Sequence, residues 1–438
     1  MSHYKPYPAY RDSGVEWIGQ VPEHWRVTPL KVIAETVNGA TPESGKPEYW
    51  DGDIAWYTPT DIDNELASEL GVPRRYITQA GYESCAVKIS PPGSVILSTR
   101  APIGSVGITT IPSTINQGCR TLIPAQDVPT SYLASTLVAA REELRLRGNG
   151  TTFQELSTEA LRSLRVPMPP RSECVSIASG LDRETTRIDA LIAKKSRFIE
   201  LLKEKRQALI THAVTKGLDT NVPMRDSKSE WIGEVPEHWR VCSLGYLSRI
   251  STGGTPDRKN DSYWNGEIPW VKTGEINYKI ISDTEERITD AGLSNSATFI
   301  AEPGTILMAM YGMGVTRGRV AVLGIPASFN QACAAISCSS GVHNWYVFYC
   351  LCAAYRFIRD LGNEASQVNL NLEIVSKIKV PVPPLLEQEE IEKHLVAQLQ
   401  KLDAIEQRVS NSISLIKERR SAFITAAVTG QIDLRESA

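Results

Sequence analysis

The residues whose spacing comes nearest to known chemistry are two glycine-rich stretches, and both miss. Gly39-Ala-Thr-Pro-Glu-Ser-Gly45-Lys46 resembles a phosphate-cradling loop, in which backbone N–H groups and a lysine hold phosphate oxygens. Its glycines are one residue too far apart, and Pro47 stands where a magnesium-binding Ser or Thr is needed. The other copy of this stretch, Gly253-Gly254-Thr255-Pro256, lacks the lysine and reads as a turn. Gly312-Met-Gly314-Val-Thr-Arg-Gly318 is one residue too long for a dinucleotide-binding turn. There is no Asn-Pro-Pro-Tyr or Asp-Pro-Pro-Tyr for amino-methyl transfer, no Gly-x-Ser-x-Gly elbow and no His-Glu-x-x-His. His24 and His238 recur between Glu and Trp and read as structural. Trp17, Trp25, Trp231 and Trp239 read as packing anchors. No catalytic residue is expected.

The polar loops suit nucleic acid instead. Ser98-Thr99-Arg100 ends an apolar run, so Arg100 is expected to emerge at a strand end. Asn116-Gln117-Gly-Cys-Arg120 sets two amides and a guanidinium within five residues. Amides pair with adenine and arginine with guanine in the major groove. The second half carries Lys272, Arg317, Arg319, Asn330 and Gln331 in the comparable region. Thr41 and Thr255 precede Pro42 and Pro256, and Arg258 and Lys259 follow the latter, placed to hold phosphates. The duplicated Asn-Gln pair reads first as satisfying buried backbone.

Composition narrows the class. The chain has 438 residues and a net charge of −3, so any nucleic-acid surface must be local. Its eight cysteines include no Cys-x-x-Cys, and with six histidines no metal site is expected. Free thiols, no signal peptide, no membrane span and a cytoplasmic location are the expectations.

The elements that must position these loops come in duplicate. Glu16-Trp-Ile-Gly19 and Val21-Pro-Glu-His-Trp-Arg-Val27 return as Glu230-Trp-Ile-Gly233 and Val235-Pro-Glu-His-Trp-Arg-Val241, at an offset of 214. Ile77-Thr-Gln-Ala-Gly81 matches Ile288-Thr-Asp-Ala-Gly292 at 211, so loop lengths differ between the copies. Each copy is a variable module followed by a long helix. Strands are expected at Ile54–Trp56, Gly93–Thr99 and Gly104–Ile108, and at Ile268–Trp270, Gly304–Met310 and Gly318–Val322. Helices are expected from Thr28 to about Asn38, Tyr132–Leu146, Leu156–Leu164 and Asn344–Leu361.

Val166-Pro-Met-Pro-Pro170 and Val380-Pro-Val-Pro-Pro384 stop each module. Ser172 is expected to cap the first long helix, with Glu173 in its first turn. Its apolar seam includes Leu181, Ile188, Leu191, Leu202 and Leu209 at heptad-type gaps. Leu395, Leu402, Ile405, Ile416 and Phe423 repeat it. About 45 residues give roughly 65 Å of helix, whose stripe demands a partner. Composition and pattern thus predict an α+β chain of two pseudo-symmetric mixed modules and two long helices. The boundaries fall at 1–165, 166–217, 218–379 and 380–438.

This order of motifs resembles the specificity subunit of type I restriction–modification systems. The resemblance spans both copies, from Trp-Ile-Gly-x-Val-Pro-x-His-Trp to the proline stop and the helix that begins with Glu387-Gln388. It implies two target recognition domains, each reading half of a split, asymmetric target on double-stranded DNA. It also implies an antiparallel coiled-coil pair that sets the spacing, with two methyltransferase subunits and, in the larger complex, restriction subunits. No cofactor and no catalytic residue is implied. The first copy departs at Asn38-Gly-Ala-Thr-Pro42 and at Glu173-Cys174. A coiled-coil scaffold with protein-binding modules is the other reading open from sequence.

Overall fold

A computed structural model describes residues 4–62, 68–100, 102–148, 155–312, 315–361 and 369–435. The chain divides into two compact units, Met1–Ser196 with Asn411–Ala438, and Arg197–Ser410. Each unit holds one module with a segment of both long helices.

In the first module a five-stranded sheet runs in the order Ala34–Asn38, Cys119–Pro124, Val95–Ser98, Val106–Ile108, Ser68–Glu69. The first four pair antiparallel and the last is parallel. Val95, Ile96 and Leu97 are fully buried, as a central apolar run requires. A second sheet sets Trp50–Tyr57 between Ser113–Ile115 and Arg75–Ile77. The second module repeats both sheets. Its five strands are Ser248–Thr252, Cys333–Cys338, Ile306–Ala309, Val320–Leu323 and Ile280–Ile281. Its three are Glu286–Ile288, Trp264–Val271 and Ser328–Phe329.

A two-stranded pairing joins the start of each module to its end: Arg26–Pro29 with Arg165–Met168, and Arg240–Ser243 with Lys379–Val382. The proline stop is therefore the last strand of the module, and the helix leaves from it. The first long helix spans Arg171–Lys216 and the second Leu385–Val428.

Three expectations about where helices begin and end need correction. The helix foreseen from Thr28 is a single turn, Leu30–Ile33, after which Ala34–Asn38 is a strand. Val37 and Ala34 face the core there, and Thr36 and Val37 are stiff β-formers that pair with Cys119–Pro124. Each helix foreseen across the module end is broken once, at Ala140 and Ala354, where ψ is near zero. Both alanines are buried, so the break turns the chain inside the core. Ser172 lies within the first turn rather than at its cap, since Cys174 N–H already bonds the Pro170 carbonyl.

Within each unit the helix segments run antiparallel. In the first, Ile177, Ala178 and Leu181 pack with Phe423, Ile424 and Ala427, and Arg420 bonds Asp189 at 3.2 Å. In the second, Leu202 and Ile210 pack with Leu395, Leu399 and Leu402, and Arg206 pairs with Asp403. Leu181, Leu202, Leu395, Leu402 and Phe423 are buried, and Ile188, Leu209 and Ile416 half-buried. Leu191 and Ile405 are not in the seam: they are 44% and 39% exposed. The stripe moves instead to Ile192 and Ile199, both half-buried, because a straight helix drifts against a strict heptad.

The segment that follows each helix folds onto a tryptophan of a module head. Gly217, at φ 75°, lies against Trp239. Gly430, at φ 76°, lies against Pro22 and Trp25. Tyr10 donates its hydroxyl to the Gly430 carbonyl at 3.0 Å, and Asp433 N–H bonds the Lys5 carbonyl at 2.9 Å. Ile432 and Leu434 complete the core of the first unit.

The Gly39 and Gly253 positions reflect close backbone approach. A Cβ at either would sit 1.9 Å from the carbonyl oxygen of Asn116 or Phe329. Gly39→Ala is therefore expected to destabilise the first unit by about 1–3 kcal/mol in urea unfolding, since the backbone must shift. Gly45→Ala, which meets open space, serves as the control and leaves the midpoint in place.

Candidate nucleic-acid interface

A tryptophan pair organises the polar surface of each module. Trp50 and Trp56 meet edge to face at 5.1 Å, and so do Trp264 and Trp270. Residues six apart share a face of a regular strand but would lie about 20 Å apart. A bulge between them, with Asp51 and Asn265 at positive φ, shortens that distance and brings the rings together. Their indole N–H groups hold the neighbouring loop. Trp56 and Trp50 donate to the carbonyls of Ala40 and Glu43, at 3.0 and 3.3 Å. Trp270 and Trp264 donate to Gly254 and Asp257, at 3.0 and 3.1 Å.

That loop carries Thr41 or Thr255. Thr41 pairs with Gln117, and Thr255 with Gln331, side chain to side chain. Gln117 and Gln331 are exposed, so the same amide–hydroxyl pair faces outward in both modules. The adjoining amides do different work. Asn116 accepts the Gly118 N–H at 2.9 Å, and Asn330 accepts that of Ala332 at 3.1 Å. They shape the turn that presents the glutamine, so the backbone-satisfying role expected of the pair falls to the asparagines and not to the glutamines.

Several other sequence candidates turn inward. Ser98 and Thr99 are fully buried; Ser98 donates to the Pro102 carbonyl and Thr99 to that of Gly118. Arg120 is spent on Thr158 and the carbonyls of Gln117 and Cys119, and burial lowers its pKa. Arg317 is 7% exposed and donates to the Arg359 carbonyl. Such groups hold the scaffold. Burial, which one-dimensional spacing does not reveal, separates them from the exposed set.

Arg100 does emerge at its strand end, and pairs with Glu155 at 3.2 Å, both partly exposed. Lys259 is exposed. Arg319 reaches Asn277 at 3.2 Å and lies near the Tyr278 ring. Lys272 contacts Glu285 and Glu286, at 2.9 and 3.0 Å, which raises its pKa. Arg258 lies over Trp264, 3.9 Å from the ring centre, and bonds Glu286 at 2.6 Å. Burial opposes ionisation of Glu286, but Lys272 and Arg258 together hold its carboxyl below the usual range. The contribution of this network is therefore present above that range and lost as pH falls through the lowered value.

One exposed cation was not among the sequence candidates. Arg75 lies over Trp50 at 3.6 Å from the ring centre. The signal was visible: the offset of 211 sets Arg75 against Glu286, a reversal of charge between copies.

The recurring histidines are structural clamps. His24 Nε2 and Trp25 Nε1 meet the two carboxylate oxygens of Glu173 at 2.7 and 2.9 Å. His238 and Trp239 meet Glu387 the same way, both at 3.0 Å. Gln388, where the first copy has Cys174, accepts the His343 N–H and donates to the Pro383 carbonyl, both at 2.9 Å. All eight cysteines are free thiols, and burial pushes Cys174 up to about 12. Among the described residues no group of His, Cys, Asp and Glu is gathered to hold a metal, and no helix is long and apolar enough to cross a membrane.

A family model described as the type I restriction modification DNA specificity domain matches residues 22–201 and again 236–415. The type I restriction enzyme MjaIX specificity subunit of Methanocaldococcus jannaschii is 27% identical over 437 residues, covering 96% of each chain. The EcoR124I/EcoR124II specificity subunit of Escherichia coli is 26% identical over 206 residues, 45% of this chain and 49% of its own. Among solved structures, a chain from a type I restriction–modification system, described for complex assembly and conformational transition, aligns with a TM-score of 0.69. It is 15% identical, over 93% of this chain and 98% of that one. The HsdS subunit of Thermoanaerobacter tengcongensis aligns with a TM-score of 0.50 at 16% identity, over 94% and 98%.

The clamp yields a direct test. Glu173→Ala leaves the buried Trp25 N–H without its acceptor, and is expected to lower the stability of the first unit by about 1–3 kcal/mol in thermal unfolding.

Proposed function

Because this chain belongs to the type I restriction modification DNA specificity family, we propose that it reads a bipartite, asymmetric sequence in double-stranded DNA, one half with each module. Its part is recognition, and the chemistry belongs to its partners. The long helices set the distance between half-sites and dock two methyltransferase subunits and, in the full complex, restriction subunits. Such a complex works in the cytoplasm, where its DNA is.

The observation that carries this reading is a repeated frame with an unrepeated surface. Strand order and register agree between the modules. Yet Arg75 stands where Glu286 does, Thr58 where Lys272 does, and Arg100 where Tyr311 does. Thr58 and Lys272 even share a local role, their N–H groups bonding Asp61 and Glu275 three residues on. One scaffold with two sets of outward groups suits two different half-sites, since base edges are read by side chains and register is set by phosphate contacts. The exposed Thr–Gln pair, common to both, suits the shared part of the contact.

Two experiments follow. Expressed with a methyltransferase subunit, the chain is expected to direct methylation to one two-part motif, read by methylome sequencing. Methylation without sequence preference returns the scaffold reading, and methylation by the isolated chain refutes a recognition-only role. Matched insertions of one heptad in both long helices are expected to lengthen the spacer while both half-sites persist. A spacer of unchanged length sinks the ruler.

A further inference from the structure

We propose that Arg75 holds a DNA backbone phosphate for the first module, and that the second module lacks this contact because Glu286 already pairs with Arg258. The inference rests on the DNA-recognition reading above and adds to it an inequality between the two modules.

The two arginines occupy the same place by different routes. Arg75 comes from the strand Arg75–Ile77 and Arg258 from the loop ahead of Trp264. Each guanidinium lies over the first ring of its tryptophan pair, at 3.6 and 3.9 Å from the ring centre. The second ring is 5.9 Å from Arg75 and 4.9 Å from Arg258. Stacking uses the face of a guanidinium and leaves its in-plane N–H fork free, and it removes much of the rotamer freedom that a contact would otherwise have to freeze.

What the fork meets differs. Arg75 is exposed, and among the described residues it has no carboxylate partner. Arg258 gives an N–H of its fork to one oxygen of Glu286, whose other oxygen takes Lys272, itself bound to Glu285. Two cations and two carboxylates cancel there. Glu286 pairs with Trp270 in register as Arg75 pairs with Trp56, so a single sheet position carries the cation in one module and its neutraliser in the other. Carboxylate and phosphate present the same bidentate oxygen edge to arginine. Glu286 thus stands in for the phosphate that Arg75 is free to take. The loop pinned by the same tryptophans carries Thr41 and its Gln117 partner, so the cation sits beside the outward amide–hydroxyl pair.

The test is the salt dependence of binding of the full chain to a mixed-sequence DNA duplex. Arg75→Gln is expected to make the slope of log affinity against log salt shallower by about 0.9, one phosphate contact. Arg75→Lys keeps the charge and restores the slope. Glu286→Gln frees Arg258 and is expected to steepen it. Circular dichroism verifies that each variant is folded. A slope untouched by Arg75→Gln in a folded chain, or a changed base preference at constant slope, overturns the assignment of Arg75 and leaves DNA recognition intact. Wild-type chain that binds no duplex at low salt overturns both.

Discussion

Everything in each unit depends on where the long helix starts, and one carboxylate governs that. Glu173 and Glu387 sit in the first turn of their helices and accept the N–H groups of a histidine and a buried tryptophan. A negative group there also suits the positive end of the helix dipole. The proline-bearing strand before each helix is paired to the strand after that tryptophan. Helix, strand and module head are thus tied at one point. A helix of more than forty residues magnifies any error at its origin, so a rigid anchor matters more here than at a short helix.

Around that anchor the structure separates what must be constant from what is free to vary. The tryptophan pairs, the bulge beneath them and the glycines at Gly39 and Gly253 fix the path of a loop through contacts to backbone, which any side chain can supply. The groups pointing outward from that loop and the strand beside it pair and stack at the surface, and neither sheet's pairing depends on which groups they are. Charge is able to reverse at the Arg75 and Glu286 position without disturbing a strand.

The duplication, the α+β composition and the two long helices were legible because they rest on motif order and apolar period, both linear properties. Local exceptions were not. A strand at Ala34–Asn38 looked helical because a single turn precedes it and Pro29 resembles a helix start. The seam slipped by one residue at Leu191 because Ile192 is equally apolar and only the accumulated twist chooses between them. At the surface, residue type alone gave arginine and amide candidates but not their exposure. Ser98, Thr99, Arg120 and Arg317 have the right chemistry and point the wrong way, whereas Arg75, two residues ahead of the repeated Ile77-Thr-Gln-Ala-Gly81, was passed over because its counterpart Glu286 carries the opposite charge. The glutamate clamps were half visible, as a histidine between Glu and Trp, with the acceptor some 149 residues away.

The fold of the first unit onto the end of the chain has a consequence for synthesis. Phe423, Ala427, Ile432 and Leu434 belong to the same core as Trp25 and Leu133. The second unit is one unbroken stretch, Arg197–Ser410. At translation rates of 5–20 residues per second, residues 197–410 take roughly 10–40 s to emerge. Throughout that interval the module made first lacks part of its interior, and at its end the module made second has all of its own while the first still waits for Phe423 to Leu434. The order of completion on the ribosome is therefore the reverse of the order of synthesis, and the amino-terminal module spends that interval as a partly open, apolar-faced intermediate.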